Sequence, residues 1–132
     1  MIVLDASAGV ELLCRNGARG DWIAERLAGE FTVHVPALFD LEVLHALRGL
    51  EASEKLASTT LGAALSDLVD LRATRHDHER LRPRVWALRR NLTAYDAAYV
   101  ALAELLEATL LTTDAPLARS SGHEARIEMP PS

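Results

Sequence analysis

Two short runs, one near each end of the chain, close on an aspartate. Ile2-Val3-Leu4 leads into Asp5, and residues 109–113, with Leu110 and Leu111 at their centre, lead into Asp114. Runs this short, apolar on successive positions, are strands buried on both faces. Between them the apolar residues fall at helical spacing, so strands alternate with helices, and the chain is predicted to be an α/β protein with a mainly parallel sheet. In such sheets ligands collect beyond the carboxyl ends of the strands, where chain directions diverge. Asp5 and Asp114 both stand at such an end.

The pattern predicts further elements in order. A helix carries Val10, Leu12 and Leu13, and a second spans residues 21–27, with Gly29 placed to stop it. A strand over 32–35 is closed by Pro36. Helix three covers about 37–50, and Ser53 is the expected cap of a fourth carrying Leu56, Leu61, Ala64, Leu65 and Leu68. A third strand is placed from Val69 onward. Residues 78–91 read as helical by Leu81, Val85 and Leu88, with Pro83 in the first turn or at a kink. Thr93 caps the next helix, whose buried stripe includes Tyr95 and Tyr99. A short helix starts at Pro116, a last strand lies at 126–129, and 130–132 form a loose tail.

One domain spanning 1–132 is expected, since a chain of this length with 49% apolar residues can bury about two thirds of its unfolded surface. No apolar run approaches the ~20 residues of a membrane span, and the start lacks a basic leader, so a soluble cytoplasmic protein without a membrane partner is expected. Cys14 is the only cysteine, which excludes an internal disulfide and a structural zinc site of the usual Cys/His kind. His34, His45, His76, His78 and His123 show no metal-ligand spacing.

The net charge of −5 argues at first sight against a nucleic-acid partner. Its distribution does not. Residues 72–90 hold Arg72, Arg75, Arg80, Arg82, Arg84, Arg89 and Arg90 against Asp77 and Glu79, a net +5 that leaves the rest of the chain at −10. A basic segment beside an acidic remainder can guide a polyanion toward an acidic metal site, although such runs are more often solvated helix faces.

Each candidate acid has an ordinary role open to it. Asp5 can cap the first helix, Asp114 the short helix at Pro116, and Asp96 can complete a capping box begun by Thr93. Glu42 can be a solvated helical acid, and Asp40, two residues away, points about 200° around the same helix, so only one of the two faces a given pocket. Yet four converging carboxylates would need a reason, because two unit charges ~4 Å apart repel by about 4 kcal/mol at an effective dielectric of 20. A hard divalent cation supplies one.

Four blocks decide between these roles. They are Asp5-Ala6-Ser7-Ala8; Val35-Pro36-Ala37-Leu38-Phe39-Asp40-Leu41-Glu42-Val43-Leu44-His45-Ala46-Leu47-Arg48; Leu92-Thr93-Ala94-Tyr95-Asp96-Ala97-Ala98-Tyr99-Val100-Ala101-Leu102-Ala103-Glu104; and Leu110-Leu111-Thr112-Thr113-Asp114-Ala115-Pro116-Leu117-Ala118. Together they resemble PIN domains, and within these the VapC toxins of type II toxin-antitoxin systems, over residues 1 to 120. The resemblance implies a three-layer α/β/α fold with a mainly parallel sheet of four or five strands. It implies a site of Asp5, Glu42, Asp96 and Asp114 that binds Mg²⁺ or Mn²⁺, and it selects Glu42 over Asp40. Ser7 and Thr112 or Thr113 fall where the family keeps hydroxyls beside the metal. Ala115 leaves no further acid in the loop after Asp114.

The implied activity is hydrolysis of RNA phosphodiesters, with the seven arginines of 72–90 as candidates for the RNA backbone and Glu42 as either a ligand or the acceptor of the water's proton. The implied partners are RNA, a VapB-like antitoxin and a second copy of the chain, the last through the apolar residues of helices three and four. Tyr95 and Tyr99 are read as core residues rather than stacking platforms. A housekeeping PIN nuclease without an antitoxin, or an inactive PIN-like binding module, would share these motifs. An aspartyl phosphotransfer enzyme fits less well, because Ser7 stands where such phosphatases carry a second Asp and Lys55 is the only lysine for a receiver.

Overall fold

The computed structural model describes residues 1–15, 17–29 and 32–132. Five strands, β1 (Ile2–Leu4), β2 (Val33–Pro36), β3 (Thr74–His76), β4 (Thr109–Leu111) and β5 (Ile127–Glu128), form one sheet in the order β3-β2-β1-β4-β5. Every pairing is parallel. Central β1 is buried along its whole length, which its unbroken apolar sequence requires.

The helices are α1 (Ala6–Cys14), α2 (Ala18–Leu27), α3 (Phe39–Ala52), α4 (Ser58–Asp70), α5 (Arg82–Ala87), α6 (Ala94–Leu106) and α7 (Ala115–Ala118), with a 3₁₀ turn at Glu79–Leu81 before α5. From β1 the chain steps to β2 and β3 in one direction, then returns over them to β4 and β5 in the other. Right-handed crossovers therefore place α1 to α4 on one face and α5 and α6 on the opposite face. Packing follows this division: α1 touches α2, α3 and α4, while α5 packs on α6, which lies against β1, β2 and β4. The expected three-layer α/β/α arrangement results. Seven successive α6 residues from Ala97 to Ala103 are buried, so this helix fills the core on all sides.

Several boundaries differ from expectation. Ser53 caps the end of α3 instead of starting α4, its hydroxyl donating to the Gly49 carbonyl at 2.9 Å. Helix α4 begins at Ser58 and runs through Val69, which is exposed, so no strand starts there. The third strand is Thr74–His76, an edge strand bonded only to β2; with one side open it needs no apolar run, and its sequence has none. The helix expected over 78–91 contracts to the 3₁₀ turn and six residues of α5, with Pro83 in the first turn, where its missing N–H costs nothing. Pro130 is buried and only Pro131 and Ser132 beyond it are exposed. Among the described residues no helix is long and apolar enough to cross a membrane.

One close approach holds α1 on α3. A Cβ at Gly9 would stand 2.8 Å from Cζ of the buried Phe39 ring. Gly62, within α4, has open space around it. Gly9→Val is therefore expected to lower unfolding free energy by about 2 kcal/mol or more, and Gly62→Ala to raise it by about 0.5–1 kcal/mol. Chemical denaturation of the two variants checks both signs.

Candidate active site

The strand order reverses between β1 and β4, the switch point at which an open parallel sheet forms a crevice. Leu4 is in register with Leu111, so the next residues, Asp5 and Thr112, meet at the carboxyl edge. Asp5 is 5% exposed, and both its carboxylate oxygens accept hydrogen bonds. Its Oδ1 accepts from Ser7 Oγ at 2.7 Å and from the Ala8 amide at 2.9 Å, and Oδ2 accepts from the Thr112 hydroxyl. Asp5 is thus both the cap of α1 and the deepest acid of the site.

Ser7 and Thr112 link the two strand ends further. Ser7 Oγ accepts from the Thr113 amide at 3.0 Å, and Thr112 Oγ1 accepts from the Asp114 amide at 3.0 Å. The Thr112 hydroxyl touches Asp5, while Thr113 contributes its backbone. Asp114 occupies the N-cap position of α7, but its side chain makes no cap bond and is left for other work.

Glu42 and Asp96 come from the first turns of α3 and α6. Thr93 Oγ1 accepts from the Asp96 amide at 3.2 Å, which fixes the start of α6 and leaves the Asp96 carboxylate half-buried beside the crevice. Glu42 Oε1 accepts from the Tyr99 hydroxyl at 2.7 Å. Asp40, by contrast, is ion-paired, Arg75 donating to both its oxygens at 2.6 and 2.9 Å.

The acids act on one another in series, Asp114 on both Asp5 and Asp96, and Glu42 on Asp96. Burial, outweighing three hydrogen bonds, pushes the Asp5 carboxyl up to about 6, with the Asp114 charge adding to the effect. Burial also raises Asp96, followed by the charges of Asp114 and Glu42. The Tyr99 hydroxyl is held protonated by burial and then by its bond to Glu42. Among the described residues none of the four acids forms an ion pair. Nor do three potential ligands converge closely enough there to grip one ion directly. A hollow of about 300 Å³ opens beside Asp96, lined also by Asn91, Thr93 and Arg119. A larger cavity of about 840 Å³, with Arg84, Glu104 and Arg126, lies by Thr109 at the amino edge, away from the acids.

The PIN domain family profile matches residues 2–122. Ribonuclease VapC12 of Mycobacterium tuberculosis is 43% identical over 129 residues, 98% of each chain, and ribonuclease VapC3 of the same organism is 42% identical over 119 residues, 90% of this chain and 86% of the relative. The chain belongs to the VapC ribonucleases of the PIN-domain family. The fold agrees with that of VapBC2 from Rickettsia felis, solved with a DNA fragment from its promoter, at a TM-score of 0.68 and 17% identity over 97% of this chain and 98% of that one.

The arginines of this PIN domain do not act as a block. Arg84 is bound to Glu104 at 2.7 and 3.0 Å beside the amino-edge cavity, and Arg72 lines another hollow with Val33 and Thr74, where β2 and β3 begin. With Arg75 held by Asp40, the exposed cations of the segment that pair with no acid closer than 3.9 Å among the described residues are Arg72, Arg80, Arg82, Arg89 and Arg90, of which Arg89 is tied to the Trp86 carbonyl and ring. Three relevant side chains were not singled out from the sequence. Arg19 Nη2 donates to the Thr113 carbonyl at 3.0 Å, and Arg119 borders the hollow at Asp96. Both lie outside the basic segment and carry no signal there. The Tyr99 hydroxyl was hidden because its ring fits the buried stripe. Tyr95 departs from expectation outright, being 65% exposed instead of core.

A carboxyl raised by burial favours the folded state while protonated, below its unfolded value of 3.8, and that stability is lost as pH rises through about 6. In chelator, ionising Asp5 is expected to cost on the order of 3 kcal/mol between pH 4 and pH 7.5. The difference in unfolding free energy between Asp5→Asn and the parent should accordingly grow in favour of Asn over that range; a pH-independent difference in urea titrations would contradict the assignment.

Proposed function

We propose that the chain is a divalent-metal-dependent endoribonuclease, a toxin that hydrolyses RNA phosphodiesters and is silenced by a VapB-like antitoxin. The observation that carries this is the set of four carboxylates at the switch point of the sheet, coupled through Asp114 and Asp96 and in no ion pair among the described residues. The donor set fits Mg²⁺ or Mn²⁺: it is all oxygen, its deepest member is a buried carboxylate, and such ions keep several waters, so that some side chains reach them through water. Asp5, Asp96 and Asp114 would hold the ion. When bound, it lowers the pKa of water and neutralises charge on the phosphate.

The chain's own residues perform the rest. Ser7, Thr112 and the Ala8 amide keep Asp5 in one orientation, so its carboxylate is set before substrate arrives. The Tyr99 hydroxyl holds Glu42 Oε1, leaving Oε2 to accept the proton of the attacking water or to bind a second ion. Attack by water, and not by the ribose hydroxyl, leaves 5′-phosphate and 3′-hydroxyl ends. Arg80, Arg82, Arg89 and Arg90, all exposed, would meet the RNA backbone, and Arg19 and Arg119, which lie against Thr113 and the hollow at Asp96, would meet phosphates nearer the acids.

A VapB-like antitoxin and a second copy of the chain would cover the exposed Leu41 and Leu44 on α3 and Leu65 and Val69 on α4, and the antitoxin reading is supported by the likeness to VapBC2 of Rickettsia felis. Asp96→Asn and Asp5→Asn are each expected to reduce cleavage of RNA by 100-fold or more while leaving the far-ultraviolet circular dichroism unchanged. Cleavage by the parent should stop in excess chelator and return with Mg²⁺ or Mn²⁺. Undiminished cleavage in chelator would overturn the metal assignment.

A further inference from the structure

Beside the acids, on the other side of the α6 start, lies a cleft of about 490 Å³ whose walls are the apolar side chains of Leu38, Leu81, Val85, Trp86, Tyr95 and Ala98. Two aromatic rings stand open there, Trp86 at 68% and Tyr95 at 65% exposure. Arg82 and Arg89 also border it. The Arg89 guanidinium sits 4.5 Å from the Trp86 ring centroid and donates through Nη1 to the Trp86 carbonyl at 2.9 Å, so ring and cation form one pre-ordered unit.

Position ties this cleft to the chemistry. Tyr95 and Asp96 are successive residues about 100° apart around α6, so one helical turn offers an aromatic to the cleft and a carboxylate to the acids. Leu38, at the N-cap of α3, bounds the cleft one turn before Glu42.

We infer that this cleft seats one unstacked base of the RNA next to the scissile phosphate, with the base lying against Trp86 and Tyr95 and the adjoining phosphates meeting Arg82 and Arg89. The inference rests on the ribonuclease activity proposed above. Open aromatic rings beside exposed guanidinium groups are a means by which proteins hold single-stranded nucleic acid. Charge selects this occupant over the alternatives. The cleft lining includes Arg82 and Arg89 and, among the described residues, no acidic residue. An apolar peptide would leave the arginines unmatched, whereas a polynucleotide satisfies ring and cation together.

The test uses the full chain with Trp86→Leu, Tyr95→Leu and Trp86→Phe, a single-stranded RNA cut by the parent, and an eight-nucleotide RNA binding probe with or without one abasic position. Each Leu variant is expected to raise KM, and to weaken probe binding, by roughly 5- to 100-fold, with kcat within about twofold. Trp86→Phe should restore most of the loss. The parent's Trp fluorescence should be quenched by the probe, less so by its abasic form, and this quenching should be missing in Trp86→Leu. Unchanged KM and probe binding in both Leu variants would overturn the inference. So would a Trp86→Leu chain that dissociates in sedimentation, or loses a copurifying protein, while binding RNA normally. Failure of the nuclease proposal is distinguishable, because it appears as metal-independent or absent cleavage by the parent, whereas base seating is read from probe binding in the same samples.

Discussion

A carboxylate removed from water without a cation beside it opposes folding, and at Asp5 the chain accepts that cost at the centre of its sheet. Two hydroxyls and an amide satisfy the Asp5 oxygens without neutralising them. Thr112 reaches Asp5 only because Leu4 and Leu111 are in register, and Ser7 reaches the next strand end only because Asp5 starts α1 at once. The packing of β1 on β4 and the orientation of the deepest acid are therefore one constraint. A slip of one residue would turn Asp5 to the other face of the sheet and break both.

The remaining acids are supported by how the layers are built. A parallel sheet brings the carboxyl ends of all strands to one edge, and α3 and α6 begin at that edge. Glu42 and Asp96 sit in the first turns of those helices, and Asp5 and Asp114 at N-cap positions. Unpaired backbone N–H groups at helix starts favour negative charge by about 0.3–1 kcal/mol each, which offsets part of the mutual repulsion. The rest is what the proposed cation would relieve. Cationic side chains are kept near but apart: Arg75 is spent on Asp40, and Arg84 and Arg72 lie toward the amino edge.

Much of this was legible in the residues because burial on both faces leaves a plain mark. Ile2-Val3-Leu4 and the run before Asp114 could be read as central strands, which put both aspartates at the carboxyl edge. Strand β3 could not, since an edge strand needs no apolar run and Thr74-Arg75-His76 has none. Ser53 has the chemistry of a cap at either end of a helix, and only its bond to Gly49 tells which. Helical period placed Tyr95 in the buried stripe, but in the first turn of α6 its ring borders an open cleft beside α5 and is exposed. The choice of Glu42 over Asp40 rests on resemblance to the family; no periodicity in the sequence announces that Asp40 is engaged by Arg75. The Tyr99 hydroxyl on Glu42 was concealed by a ring that belongs to the core.

Anomalous diffraction from crystals of the chain grown with Mn²⁺ reads the central claim most directly. A peak among the carboxylates of Asp5, Asp96 and Asp114, lost when Mn²⁺ is withheld, is the expected result. Ordered side chains of these three residues with no peak between them, at millimolar Mn²⁺ and with an RNA fragment bound, would contradict it.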